Sequence, residues 1–341
     1  MVNLVLEYIW IGGKGEIRHK TKVLYNYNNS MYIKNIPKWN YDGSSSWQAD
    51  SNKNTEITLN PCALFKDPLR KIDFFDCYLI LCDTYDHSGI PIETNTRIIA
   101  KEIFDKNKEE EPWFGLEQEY FISNKNKIKK NSNDYSIDIL NKGLHYCGYI
   151  NSKEEKIITE EHLQACLHAG ITISGINAEV VDGQWEYQIG PCCGIDSGDQ
   201  FIIAKYLIIK IAEKYNYNII FHPKPYMYEN GSGCHINFST ASTREKGGIN
   251  KIYNCIEKLS KKHDEHLLVY GAENNERLTG IHETSSYDKF SWGVGTRNTS
   301  VRIPNQMVND GCGYFEDRRP ASNIDPYLST SILFKTCILD D

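Results

Sequence analysis

The sequence predicts an α+β protein in two parts, and three observations carry that prediction. At 341 residues the chain is longer than one ordinary hydrophobic core organises. Residues 1–94 are rich in strand signals. Beyond residue 95 strand and helix signals mix, which places a domain boundary there. In the first part VLEYIWI, KVLYNY, SMYIKNI and YLILCDTY read as strands, with turns at Gly12-Gly13 and Asp42-Gly43. Residues 94–109 have the apolar spacing of a helix, through Ile98, Ile99, Ile103 and Phe104. Thr159-Glu160-Glu161 reads as a helix start, with acidic residues in the first turn and Gly170 after the end. Ser197-Gly198-Asp199-Gln200 has the spacing of a capping box before a helix to about Lys214. Residues 248–269 predict a further helix, and Asp325-Pro326 opens the last one with proline at its first position.

Composition narrows the function. Hydrophobic residues make up 40% and charged residues 24%, which excludes collagen-like and wholly disordered chains. No apolar run approaches the roughly 18 residues of a membrane span. Residues 201–211 come nearest but contain Lys205 and Lys210. The N-terminus reads as strand and turn, without the basic start and cleavage site of a secretion signal. A net charge of −7 gives no basic stripe, so neither nucleic acid nor membrane is an expected partner. The basic run at 125–130 sits among Asn, Ser and Asp and reads as a solvated loop. Eleven cysteines at scattered spacings suit reduced thiols in the cytoplasm, not a disulfide framework or a zinc ribbon.

Three strand-like segments carry chemistry. In PWFGLEQEYFI the period of two puts Glu117 and Glu119 on one face. The competing reading is an exposed acidic face, against which the flanking Trp113, Phe114, Tyr120 and Phe121 weigh. INAEVV-DG-QWEYQIG has the shape of a hairpin turning at Asp182-Gly183. Counting outward pairs Val181 with Gln184, Val180 with Trp185 and Glu179 with Glu186. Two facing glutamates repel, and a hard divalent cation would remove the conflict. A hairpin that tolerates an exposed acidic pair is the alternative at this point. In GSGCHINFST alternation sets His235, Asn237 and Ser239 on one face, after a small-residue loop through Asn230 and Gly231. Arg277, Arg297, Arg302, Arg318 and Arg319 then cluster late in the chain, with Glu316 beside them. Arginine grips carboxylate and phosphate with paired hydrogen bonds. Many carboxylates, one histidine, several arginines and no GxxxxGK[ST] loop favour metal-assisted phosphoryl transfer to a small acidic substrate.

The sequence resembles glutamine synthetase of the shorter, eukaryotic type. The stretches EYIWI, WNYDGSSS, ETNTR, PWFGLEQEY, GINAEV, QWEYQIGPC, GSGCHINFST, RLTGIHETSS, TRNTSVRIP and GYFEDRRP match in the family's order. The resemblance implies a small β-grasp-like domain over 1–94 and a catalytic domain over 95–341, built on a curved antiparallel sheet flanked by helices. It implies ATP as substrate and two or more Mg²⁺ or Mn²⁺ ions per site. Glu119, Glu179 and Glu186 match one ion's ligands, and Glu117, His235 and Glu316 another's. Asn230, Gly231, His235, Arg277, Arg297 and Arg318 match glutamate-binding positions. Trp113, Pro191, Asn237, Ser239, Arg244, Arg297, Arg302 and Tyr314 match nucleotide-binding positions. Glu283 matches a flap carboxylate, and Asp42 an ammonium-site residue supplied by the neighbouring subunit of a homo-oligomer of stacked rings, a decamer.

The implied reaction joins ammonia to the γ-carboxylate of L-glutamate through γ-glutamyl phosphate, in the cytoplasm. Cys193, Gly295-Thr296 and Ala321-Ser322 depart from the family's usual residues, though none is a matched ligand, and the loop at 123–136 diverges. The chain is too short for the larger bacterial class, so adenylylation control is not expected. Rival readings are a guanidino-phosphagen kinase, a glutamate–cysteine ligase, and a non-catalytic relative of the same fold. The last would be expected to have lost ligands.

Overall fold

The computed structural model describes residues 2–125 and 143–339. The basic run at 125–130 and the divergent loop at 123–136 therefore lie almost wholly outside the described residues. No helix among the described residues is long and apolar enough to cross a membrane. All eleven cysteines lie among them and are free thiols.

The first sheet is made of β1 (Val2–Ile11), β2 (Ile17–Tyr27), β3 (Trp39–Asp42), β4 (Glu56–Lys66) and β5 (Phe75–Tyr85), in the order β2-β1-β5-β4-β3. β1 and β5 run parallel, and the other neighbours are antiparallel. β1 is buried without a break from Leu4 to Trp10 because both its faces are covered. Leu4, Leu6, Tyr8 and Trp10 pack with Ile36, Leu59 and Ile80, while Ile9 joins the main core with Leu79 and Leu81. The expected strand at SMYIKNI is instead a single tight turn at Ile33–Asn35. Ile36 is buried there, and Tyr27 donates to the Asn35 carbonyl at 2.8 Å. β4 was hidden in the sequence by Pro61, next to which the pairing with β5 slips.

The second sheet contains β6 (Trp113–Asn124), β7 (Ile173–Ala178), β8 (Gln184–Cys193), β9 (Tyr217–Ile220), β10 (Cys234–Ser239), β11 (Trp292–Val294), β12 (Val301–Ile303) and β13 (Phe315–Asp317). Its order is β11-β12-β13-β10-β6-β8-β7, with β9 also on β6. It is antiparallel except for β11 and β12, because the segment carrying Arg297 returns the chain to its starting end before β12 begins. Register shifts in β6/β8 and β7/β8 help the sheet curl.

The helices among the described residues are α1 (Thr96–Asp105), α2 (Lys153–Ala169), α3 (Ile195–Lys214), α4 (Ala241–Arg244), α5 (Ile249–Lys261), α6 (His263–Leu267), α7 (Asn305–Asp310) and α8 (Pro326–Phe334). α2 starts earlier than Thr159: Ser152 caps it, accepting from the Glu155 N–H at 3.2 Å. α3 likewise starts after Gly194, so Ser197 lies inside the helix and donates back to the Gly194 carbonyl at 2.7 Å. The expected helix at 248–269 is split into α5 and α6 around Lys262. Asp325 caps α8 as the sequence predicts, accepting from the Tyr327 and Leu328 N–H groups.

Glu7 of β1 ties the two sheets together through α3. It is buried, and its carboxylate accepts from Tyr206 of α3, Thr21 and Arg70, each at 2.6 Å. Burial alone would raise its pKa; the bonds from Thr21, Tyr206 and Arg70 outweigh it and hold the group down at about 2, against an ordinary 4.5. A folded-state pKa below the unfolded one gives stability that is present above pH 4.5 and fades as the pH falls toward 2. Glu7→Gln is therefore expected to be less stable than the parent at pH 7 by on the order of 3 kcal/mol, the gap closing as denaturant unfolding is repeated from pH 5 down to 3. A gap that stays constant over that range would contradict the assignment.

Candidate functional site

Strand register sets the site. Across one face of the second sheet, Glu119 of β6 stands opposite Glu186 of β8, and Glu186 opposite Asn177 of β7. One step along, His235 of β10 stands opposite Glu117, and Glu117 opposite Gln188. One step further, Arg302 faces Glu316 and Glu316 faces Asn237. Directly paired residues point to the same face. The expected alternation of Glu117 with Glu119, and of His235 with Asn237 and Ser239, therefore holds.

The hairpin differs from its expected register. Ala178, not Val180, pairs with Trp185, and residues 179–183 form the turn. That turn is closed by the Glu179 N–H to the Gln184 carbonyl at 2.8 Å and the Gln184 N–H to the Val181 carbonyl at 2.9 Å. Glu179 thus leaves the ladder and is not the strand partner of Glu186. Its carboxylate nevertheless turns in beside Glu119 and Glu186, so the two glutamates meet by a different route.

Two triads result among the described residues: Glu119, Glu179 and Glu186, and Glu117, His235 and Glu316, each with ligand atoms within 4.8 Å of one another. His235 Nδ1 lies 3.4 Å from both Glu117 and Glu316. The electrostatics are adverse. Burial, compounded by the Glu119 charge, pushes Glu179 up to about 8. Burial and the charges of Glu117, Glu119 and Glu179 push Glu186 well above the carboxylate range. Glu119 is raised by burial despite the Arg277 cation and a 2.6 Å bond from the Gly233 N–H. Burial and the Arg318 cation hold His235 neutral, the form that binds metal. Oxygen-rich triads with excess buried negative charge fit hard divalent cations.

Arginines close the site. Arg277 is buried, pulled down to about 10 by its burial yet still cationic, and its Nη2 lies 3.1 Å from His235 Nε2. The lack of a side chain at Gly233 makes room for this pair: a Cβ there would lie 2.4 Å from Arg277 Nη2 and 3.0 Å from His235 Nε2, and would displace the guanidinium. Glu316 accepts from Arg318 at 2.5 Å and from Arg302 at 3.3 Å. Arg318 also donates to the carbonyls of Arg297 at 3.0 Å and Glu283 at 3.4 Å, fixing the loop that carries them. Arg297 and Glu283 approach to 3.5 Å, and Glu283 and His282 both hold left-handed backbone at φ 61° and 55°.

Beside the triads lies a cavity of about 500 Å³, lined by Trp113, Pro191, Asn237, Ser239, Arg244 and Tyr314 among others. The Arg244 guanidinium sits 4.0 Å from the Trp113 ring centroid and donates to Ser239 Oγ at 3.1 Å. Asn230 and Gly231 lie in the loop before β10, where the Gly231 carbonyl accepts from Gln184 at 3.0 Å. Two expectations separate from the rest. Asp42 is exposed at the end of β3 in the other sheet, accepting from Ser44 N and Oγ, which keep it a carboxylate. Arg319 is not a site arginine: it is fully buried and bonds Asp317 at 2.6 and 2.9 Å. Sequence reading missed Asn177 and Gln188, uncharged residues behind the triad, and Tyr146, whose ring centroid lies 5.7 Å from the Arg297 guanidinium.

An α+β fold with a carboxylate floor, arginines above it and an aromatic-walled cavity alongside defines a phosphoryl-transfer enzyme. Comparison with known proteins specifies it further. Residues 93–266 match the family profile described as glutamine synthetase, catalytic domain. The chain is 49% identical to a protein of Acanthamoeba polyphaga mimivirus over 341 residues, 99% of this chain and 95% of that one. It is 47% identical to the glutamine synthetase of Agaricus bisporus over 340 residues, 98% of this chain and 93% of that one. It is 45% identical to the glutamine synthetase of Saccharomyces cerevisiae over 344 residues, 98% of this chain and 89% of that one. The chain belongs to the glutamine synthetase family.

Removing one carboxylate from the Glu119 triad separates ligand from structural roles. Glu179→Gln and Glu186→Gln are each expected to weaken Mn²⁺ binding by more than about tenfold. Their melting temperature in chelator should hold or rise, because a repelling charge has gone. Cation affinity unchanged in both variants would refute the triad as a binding site.

Proposed function

We propose that this protein ligates ammonia to the γ-carboxylate of L-glutamate, using ATP and giving L-glutamine, ADP and phosphate. The observation that supports it most is the convergence of all six expected ligands on one sheet face, with three arginines around them, in a chain of this family. That convergence also argues against a non-catalytic relative. Residues 1–94 and 95–341 are read as its two domains.

A carboxylate is a poor electrophile. Transfer of the γ-phosphoryl group of ATP to the glutamate γ-carboxylate makes an acyl phosphate, and ammonia then attacks its carbonyl carbon and expels phosphate. Two or more divalent cations, magnesium or manganese, would be held by Glu119, Glu179 and Glu186 and by Glu117, His235 and Glu316, and supply charge neutralisation to the phosphates. The protein's own groups do the rest. Trp113, Pro191, Asn237, Ser239, Arg244 and Tyr314 hold the nucleotide, and Arg302 its phosphates. Asn230, Gly231 and Arg277 orient glutamate beside His235. Arg297 and Arg318 face the charge that develops during transfer. Glu283, tethered to Arg297, covers the intermediate against water.

Ammonium must lose a proton before it attacks, and Asp42 is the assigned base. Its exposed place on β3, at the edge of the first sheet, where its carboxylate accepts from Ser44, supports action in a neighbouring copy's site. We therefore read the protein as a homo-oligomer of stacked rings, a decamer, with sites between subunits, working in the cytoplasm on small molecules alone. Free thiols throughout support that compartment.

Phosphate release from ATP and glutamate, with and without ammonium, tests the reaction: ammonium-dependent glutamine is expected, and its absence with Mg²⁺ or Mn²⁺ present would overturn the proposal. Asp42→Asn should lose glutamine formation about a hundredfold while retaining hydroxylamine-trapped acyl phosphate, because hydroxylamine is already uncharged near neutral pH. Equal loss with both nucleophiles would remove Asp42 from the ammonium step.

A further inference from the structure

Behind the Glu119 triad the sheet face carries two side-chain amides that the reaction above leaves unused. Asn177 of β7 stands opposite Glu186, and Gln188 lies two residues beyond Glu186 on β8, so all three share one face. Gln188 Nε2 donates to Asn177 Oδ1 at 2.8 Å and also to Glu186 Oε1. Asn177 Nδ2 donates to Glu179 Oε1 at 3.1 Å, with a long secondary contact of 3.5 Å to the Ala178 carbonyl. The chain of bonds therefore runs Glu186, Gln188, Asn177, Glu179.

We infer that Asn177 and Gln188 are positioning residues: a coupled amide pair that holds the Glu179 and Glu186 carboxylates side by side before any cation arrives. The inference rests on the cation-binding reading of that triad. An amide NH₂ has two protons, and Gln188 spends one on Asn177 and one on Glu186. Its orientation is thereby fixed, since a flipped amide would set oxygen against carboxylate oxygen. Asn177 must then present oxygen to Gln188, which leaves its NH₂ for Glu179. In the ionised form that a cation requires, neither glutamate could hold the other, because both are then acceptors of like charge. Glu179 needs such an anchor most, since it stands in the turn outside the ladder.

A glycine supplies a separate line of support. Gly175 is the strand partner of Gln188, and a Cβ at that position would lie 2.4 Å from Gln188 Oε1. The missing side chain leaves the space in which the Gln188 amide lies. Gln188 also lines the cavity beside the triads and stands opposite Glu117. Asn177 does not line that cavity, so its substitution tests carboxylate positioning apart from any contact with a nucleotide.

The test is Mn²⁺ binding to the whole protein without nucleotide, read by electron paramagnetic resonance of the free ion, for Asn177→Leu, Gln188→Met, Gly175→Ala, the Asn177→Leu/Gln188→Met double variant, and Glu186→Gln as reference. Each amide variant is expected to weaken one class of Mn²⁺ site by about tenfold to a hundredfold, and to leave the other class unchanged. The double variant should be little worse than the worse single, because both amides act through one chain of bonds. Gly175→Ala, which keeps both amides but displaces Gln188, should also weaken that class. In turnover of Asn177→Leu the half-saturating Mn²⁺ should rise while kcat at saturating Mn²⁺ returns to within a few-fold of the parent, which a packing defect would not allow. Parental Mn²⁺ affinity in folded Asn177→Leu, with Glu186→Gln weakened, overturns the amide pair even where Gln188→Met fails to fold. Parental affinity in Glu186→Gln overturns the cation reading beneath it.

Discussion

Glu119 and Glu186, both buried, face each other across two hydrogen-bonded strands, with the half-buried Glu179 turned in beside them. Such an arrangement costs stability in the protein alone, and burial and the charge of neighbouring carboxylates, Glu117 among them, raise all three. Much of the surrounding structure can be understood as holding that conflict in place. The arginines stand where they offset it without filling it: Arg277 touches His235, and Arg302 and Arg318 both hold Glu316. Gly233 lets Arg277 and His235 approach, and its N–H binds Glu119. The rigid sheet, backed by the buried α3, keeps the carboxylates from swinging apart to relieve the repulsion.

How far this was legible in the sequence depends on the kind of signal. Strand alternation is local, so Glu117 with Glu119 and His235 with Asn237 could be read directly. The hairpin count reached the right pair, Glu179 and Glu186, by the wrong geometry, because it assumed a two-residue turn where residues 179–183 form the connection. Register between strands far apart in sequence has no local signature, so Glu316 opposite Asn237 and Glu117 opposite Gln188 emerge only from the fold. Arg319 shows a signal left unused. Period two across 316–319 separates Glu316 and Arg318 from Asp317 and Arg319, and the buried pair lies on the other side. Asn177 and Gln188 were invisible because neither charge nor motif marks an amide whose role is to bond two carboxylates.

The first sheet follows the same division. Its apolar strands β1 and β5 were plain in the sequence, while β3 and the proline-bearing β4 were not. Glu7 reads as a charge in a strand, yet it is the buried anchor that α3 and Arg70 share. That anchor secures the sheet carrying Asp42 to the helix beneath the site.

The central claim is that the excess negative charge on this sheet face is balanced by bound cations at two places. A crystal structure of the protein grown with Mn²⁺, with anomalous data collected at the manganese edge, tests it most directly. The account predicts one anomalous peak among Glu119, Glu179 and Glu186 and another among Glu117, His235 and Glu316, each at coordination distance from the three side chains. Triads that remain without a peak at saturating Mn²⁺, their carboxylates in the same positions, would contradict it.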